Sequence, residues 1–203
     1  MTDVETPSAR STAARPSPAV ALRPPRPEDR EAFIAAMIDS SELHRPWVRP
    51  PVTVPEFNAW LTRAGRSDFD ANLAVRPEDD EIVGYFNISQ IIRGPLQSAF
   101  LGYGGVARWS GAGYMTAALR LVVERAFTDL ALHRIEANIQ PGNAPSIALV
   151  ERCGFVREGF SERYLKIGGR WCDHERWAIR VEQWQEICER DGYAPPQWSS
   201  ESA

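Results

Sequence analysis

Between an apolar strand pattern ending at Val106 and an apolar helical pattern beginning after Gly113 lies Arg108-Trp109-Ser110-Gly111-Ala112-Gly113. Glycines just ahead of a helix let backbone N–H groups approach an anion at the positive end of the helix dipole, so this turn suits a pyrophosphate. Arg108 stands where it would add a charge-assisted contact, or a solvated surface cation. Taken alone, the segment is equally a tight strand-to-helix turn. It is not a P-loop, because no Lys-Ser or Lys-Thr pair follows, and Thr116 occupies the third glycine position of a dinucleotide fingerprint. His133 and His174 have no visible triad partner and read as structural. Cys153, Cys172 and Cys188 form no C-x-x-C pair and, with three histidines in all, give no metal-ligand spacing.

The elements that must position these residues alternate between two periods. Val20 to Arg23 reads as a short strand. Pro27-Glu28-Asp29 opens a helix with a stripe of Phe33, Ile34, Met37 and Ile38, and Pro55 opens a second helix carrying Phe57, Trp60 and Leu61. Strands are expected over 71–75, 81–92 and 99–106. From Gly113, Met115, Leu119, Val122, Ala126, Phe127 and Leu130 recur at helical spacing. A strand over 133–140 follows, then a helix capped by Asn143 and stopped at Gly154, then two strands over 155–167 and 170–180 joined at Gly168-Gly169. The sum is one α+β domain over 20–190 with a mostly antiparallel sheet. Residues 1–19 hold too few large apolar groups to offset their ordering entropy and read as a disordered tail; 191–203 reads as a second tail in which Tyr193 and Trp198 could pack back.

The chain has 203 residues, 43% of them hydrophobic, enough for one substantial core. Its net charge of -4, with both signs interspersed, provides no basic face for nucleic acid or anionic lipid. No apolar run approaches the roughly 18 residues of a membrane span. With no apolar segment in 1–19, the expected compartment is the cytoplasm.

In order, Leu101-Gly102-Tyr103, Gly111 to Thr116, Leu132 to Asn138, Asn143-Ala144-Pro145-Ser146, Cys153 to Gly159, Tyr164-Leu165-Lys166-Ile167 and Gly169 to His174 closely resemble the ribosomal-protein alanine N-acetyltransferase branch of the GNAT superfamily, over roughly residues 20–180. The resemblance implies a sheet with a central V-shaped splay between the strand ending near Val106 and the one beginning near His133. It implies acetyl-CoA as cofactor, with pyrophosphate on Gly111, Ala112, Gly113, Tyr114, Met115 and Thr116, pantetheine along Tyr103, Gly105 and Val106, and Asn143 nearby. The asparagine also reads simply as a helix cap. Three positions depart from the family motif: Ser110 for Gln or Arg, Met115 for a small residue, and Ala117 for glutamate.

Acetyl transfer to an amine requires a neutral nucleophile, a polarised thioester carbonyl and a proton for the leaving thiolate. By resemblance, a backbone N–H near Gly105 or Val106 polarises the carbonyl. The general-acid tyrosine of many relatives is replaced by Val150, which makes Ser146 the substitute acid, or a first-turn serine that supports the cap. Glu136 is the candidate base, with Glu158 and Asp173 behind it; each reads equally as an arginine's partner. An α-amine of pKa near 7.8 is already roughly a tenth neutral at pH 7, against about 1 in 2,500 for a lysine, so sparse base equipment favours an α-amine acceptor. The segment His44 to Pro51, anchored by Trp47, reads as a cover over the acceptor or equally as an ordinary packed loop. The acceptor is thus a protein N-terminus, by resemblance that of a ribosomal protein, or a small-molecule amine. The alternatives of a non-catalytic acyl-CoA-binding module and a homodimer stay open.

Overall fold

The computed structural model describes residues 17–192. Of the expected tails, 1–16 and 193–203, including Tyr193 and Trp198, lie outside the described residues. Seven strands, β1 (Ala21–Arg23), β2 (Phe69–Val75), β3 (Ile82–Ile92), β4 (Ser98–Gly105), β5 (Arg134–Ile139), β6 (Val156–Ile167) and β7 (Arg170–Arg180), form one sheet in the order β1-β2-β3-β4-β5-β7-β6. Every neighbouring pair is antiparallel except β4 and β5. A parallel pair needs a long crossover, and α4 (Tyr114–Phe127) supplies it. This is the α+β architecture that the sequence predicts.

Helix α4 forms where the apolar period of the sequence changes. Ala118, Leu119, Val122, Val123, Ala126 and Phe127 are buried on its inner face against Phe86, Ile88, Ile135 and Ile139. On the opposite face of the sheet, α1 (Arg30–Asp39) and α3 (Val54–Ala64) bury Phe33, Met37, Phe57 and Trp60 against β2 and β3. Phe33 stacks on Trp60 with ring centroids 4.9 Å apart. Each such side chain contributes about 1.5–3 kcal/mol by leaving water, which fixes the two layers relative to the sheet. Two further helices complete the layers. α5 (Ala144–Arg152) starts at Asn143, whose side chain accepts the Ser146 N–H at 3.3 Å. α6 (Val181–Arg190), which the sequence reading lacks, buries Val181, Trp184 and Cys188.

The feature that positions the site is where the sheet comes apart. The β4–β5 ladder runs from Ser98↔Arg134 only to Leu101↔Ala137. Beyond it β4 continues to Gly105 and β5 to Ile139 with no pairing between them.

Candidate active site

The unpaired ends of β4 and β5 line a cleft of about 830 Å³, together with the Ser110 to Thr116 turn, the first turn of α5, and the short helix α2 (Ser41–His44) with its following loop. The strand register decides which way the β4 backbone faces. Val106 N–H donates to the Val83 carbonyl at 2.9 Å, so Gly84 and Gly105 form a non-hydrogen-bonded pair. Alternation then turns the N–H and C=O groups of Tyr103 and Gly105 away from β3, toward the splay. Of the two amides expected to polarise a carbonyl, Val106 is therefore occupied and Gly105 is the one that faces the cleft.

At the far end of the cleft, Gly111 and Gly113 take φ of +74° and +89°, a conformation that favours glycine. Among the described residues, no backbone acceptor is taken by the amides of Gly111, Gly113, Tyr114 or Met115, while the amides of Thr116 and Ala117 already close on Gly113 O at 3.1 Å. The result is a concave set of free donors at a helix N-terminus. Ala112 N–H is used within the turn, bonding Trp109 O at 3.3 Å. Met115 does not project into the donors. Its side chain lies over β3 and β4, where Gly84 and Gly105 lack Cβ atoms that would fall 2.6 Å from Sδ and 3.2 Å from Cγ respectively. Arg108 points elsewhere, paired with Glu81 and lying over the Trp109 ring. Arg152, which the sequence reading passed over, is the cation that lines the cleft.

Ser146 and Tyr103 meet: Oη and Oγ are 2.6 Å apart, and either one is able to donate. Burial pushes the Tyr103 phenol far above its usual range, with Ser146 partly offsetting it, so the hydroxyl keeps its proton at neutral pH. A tyrosine thus reaches the serine from β4, although α5 carries Val150 where a helical tyrosine would stand. Cys153 lies behind, buried, its thiol pushed up to about 11 by desolvation and so held protonated.

Glu136 is placed away from the cleft lining. It sits inside the paired part of the ladder opposite Phe100, buried, and accepts from Arg134 Nη2 at 2.7 Å, while the same guanidinium reaches Glu158 at 2.6 Å. Asp173 accepts the Arg163 amide at 2.7 Å. The three carboxylates named as candidate bases are therefore engaged elsewhere. Two histidines line the cleft instead. His44 donates from Nε2 to Gly105 O at 2.8 Å, and His174 donates from Nδ1 to Cys172 O at 2.9 Å. Desolvation lowers both below the ordinary imidazole range, so both are neutral near pH 7.

The α2 segment is stitched to the site from both ends. Ala107 N–H donates to Ser40 Oγ at 2.9 Å, Gln140 Nε2 donates to Trp47 O at 3.3 Å, and the Trp47 ring lies 3.1 Å from where Gly142 would carry a Cβ. Trp47 thus sits over the end of β5. Among the described residues no group of three or more His, Cys, Asp or Glu is arranged to hold a metal ion, and no helix is long and apolar enough to cross a membrane.

A half-open parallel pair over a glycine turn of free amides defines the class, and comparison with known proteins agrees. Residues 20–156 match the family model described as an acetyltransferase (GNAT) domain, and the chain belongs to that family, whose members use acetyl-CoA. A probable N-acetyltransferase of Bacillus subtilis (strain 168), YjcK, is 48% identical over 101 residues, 50% of this chain and 56% of the relative. The ribosomal protein uS5-alanine N-acetyltransferase of Escherichia coli (strain K12) is 37% identical over 108 residues, 53% of this chain and 56% of the relative. The chain spans about half the length of these curated relatives. Among solved structures, Mycobacterium smegmatis RimJ in complex with CoA-disulfide matches with a TM-score of 0.77 at 30% identity, covering 91% of this chain and 93% of that one. The free amides of Gly111, Gly113, Tyr114 and Met115, the unpaired Tyr103 and Gly105 backbone and Arg152 fit an elongated cofactor with a pyrophosphate at one end.

Proposed function

We propose that the protein transfers the acetyl group of acetyl-CoA to the N-terminal α-amine of a polypeptide, with a ribosomal protein as the favoured acceptor. In this reading the backbone amides of Gly111, Gly113, Tyr114 and Met115 hold the pyrophosphate, Arg152 adds a cation near the phosphates, and Tyr103 to Val106 flank pantetheine, with Asn143 fixing the first turn of α5. Acetyl-CoA supplies an activated thioester. The Gly105 N–H polarises its carbonyl, and the hydroxyl pair of Tyr103 and Ser146 gives a proton to the departing thiolate.

The observation that carries the acceptor class is the lining of the cleft. It contains no Asp or Glu among the described residues, while the Arg152 cation does line it. A polyamine would bring one or more further ammonium groups into that field with no carboxylate to neutralise them. An α-amine arrives with one charge, is partly neutral already, and continues into a chain that leaves through the open cleft. The name carried by the Escherichia coli relative points the same way.

The test is a thiol-release assay with acetyl-CoA and two acceptors, an alanine-headed decapeptide and spermidine, with products read by mass spectrometry. The peptide is expected to have the higher kcat/KM by at least a hundredfold, with acetyl on its α-nitrogen. Preference for spermidine, or acetylation confined to lysine side chains, would overturn the acceptor class.

A further inference from the structure

Two acceptor atoms on one face of β5 and β7, one of them buried, are unused by the site as described so far. Asn138 lies at the opening of the splay and lines the cleft, yet its Oδ1 is buried with no hydrogen-bond partner. His174 is 3% exposed and lines the same cleft. Its Nδ1 proton is committed to Cys172 O, and Nε2 has no hydrogen-bond partner among the described residues. A neutral imidazole donating from Nδ1 presents a lone pair at Nε2. The β5–β7 register pairs Asn138 with Arg176, which places His174 on the same face as Asn138, on the diagonal. Diagonal neighbours stand about 7–8 Å apart at the backbone, close enough for both side chains to reach one small group. A buried carbonyl oxygen left without a donor is penalised by its lost hydration, so an N–H that enters this position is bound with that penalty recovered.

We propose that Asn138 Oδ1 and His174 Nε2 together hold the acceptor's amine and that His174 is the base that takes its proton; this rests on the acetyl-transfer reading above. The acceptor enters as a neutral amine with two N–H groups, one for each acceptor atom. Its nitrogen lone pair forms the C–N bond, Nε2 takes one N–H proton, the C–S bond breaks with its electron pair on sulfur, and that sulfur takes a proton from the Tyr103–Ser146 pair. The imidazolium proton returns to that pair through solvent, so the cycle is balanced.

His44 is the competing group. Its Nε2 is tied to Gly105 O, which steadies the end of β4, while its Nδ1 is buried without a hydrogen-bond partner, so variants of the two histidines compare them directly. The groups around His174 are Asp173 beside it on β7, which favours the charged ring, Arg176 two residues along on the same face, and the Tyr164 ring of β6 at 6.1 Å between centroids; His44 and Arg152 line the same cleft. Desolvation outweighs Asp173, so Nε2 is free to accept at neutral pH.

The experiment measures log kcat/KM against pH for wild type, His174→Gln, His44→Gln and Asn138→Ala, using the alanine-headed decapeptide and spermidine in parallel, with CoA affinity by calorimetry. Wild type must deprotonate both ring and amine, so its profile is expected to climb two log units per pH unit on the acid side and one above the His174 pKa. His174→Gln is expected to lose kcat by about a hundred- to a thousandfold, climb one log unit per pH unit from the acid side up to the amine pKa, and bind CoA within twofold of wild type. Asn138→Ala is expected to raise the acceptor KM tenfold or more. In the ligand-free protein, nitrogen NMR is expected to show His174 protonated at Nδ1 only. A His174→Gln profile that keeps the slope of two, loss of that slope in His44→Gln instead, or an Nε2-protonated ring would each overturn the proposal. If only spermidine is turned over, the acceptor class falls while the His174 slopes are still read on that amine.

Discussion

Tyr103 Oη and Ser146 Oγ stand 2.6 Å apart, joining the unpaired end of β4 to the first turn of α5 across the cleft. One hydroxyl pair thus offers two routes for a proton to reach sulfur, directly from either oxygen or relayed through both. A relay makes the two residues act as a unit. Ser146→Ala and Tyr103→Phe are each expected to lower kcat by about ten- to a hundredfold, with CoA affinity almost unchanged. The double variant is expected to lose little more than the worse single one. Independent, multiplicative losses in steady-state kinetics would show that the two hydroxyls serve different steps, and wild-type turnover in Ser146→Ala would leave the serine as no more than a support for the Asn143 cap.

The phosphate turn gives a prediction separable from chemistry. Gly113 has φ of +89°, and a Cβ there would lie 3.3 Å from Pro18 Cδ, beside the free amides of Tyr114 and Met115. A Val at this position meets both a disfavoured backbone conformation and a neighbour already in contact. Gly113→Val is therefore expected to weaken CoA binding at least tenfold by calorimetry. Gly111→Ala has open space around its Cβ and only the φ of +74° against it, so its loss should be smaller. Equal affinities for wild type and Gly113→Val would remove the pyrophosphate from this turn.

How much of this was legible in the sequence depends on how far apart the cooperating residues lie. The α4 stripe and the strand alternation are local periodicities, and the glycine turn is a local motif, so the α+β sheet and the cofactor end of the cleft follow from spacing and resemblance. The Val181, Trp184 and Cys188 stripe of α6 was equally available, but it runs directly out of β7 with no glycine or proline to mark the change of period. The acceptor end is different in kind. Tyr103 meets Ser146 across 43 positions, and Asn138 shares a face with His174 only because β7 inserts between β5 and β6. Glu136 illustrates the converse: mid-strand position suggests proximity to the slot, but the ladder stays paired through Ala137, so Arg134 reaches the carboxylate and the slot opens beyond it.

Gly154 ends α5 with φ of +88°, and a Cβ there would fall 2.1 Å from Ile187 Cδ1 of α6. The side-chain tip can move, but the backbone conformation cannot be relieved in the same way. Gly154→Ala is expected to destabilise the fold by about 1–3 kcal/mol, lowering the melting temperature by several degrees. Adding Ile187→Ala removes the clash and leaves the backbone cost, so it should restore none of the strain share. Calorimetric melting of the two variants separates the terms, and an unchanged melting temperature in Gly154→Ala would mean that the turn tolerates a side chain.

Trp47 closes the acceptor side without touching the proton relay. Its carbonyl takes the Gln140 amide, and its ring rests on the position where Gly142 has no side chain. Contacts of this sort act equally on bound acceptor and transition state, and so appear in KM rather than kcat. Trp47→Ala is expected to raise the KM of an alanine-headed peptide about tenfold, with kcat within threefold and the acetyl-CoA KM unchanged. Gly142→Val makes the complementary test. It leaves the indole present but removes its seat, since a branched side chain would collide with the ring edge at 3.1 Å. If the placement of Trp47 is what matters, the two variants give the same acceptor KM. A normal KM in Gly142→Val would mean that the loop binds acceptor from more than one position. A fall in kcat in Trp47→Ala, with KM unchanged, would assign the indole to the transition state instead.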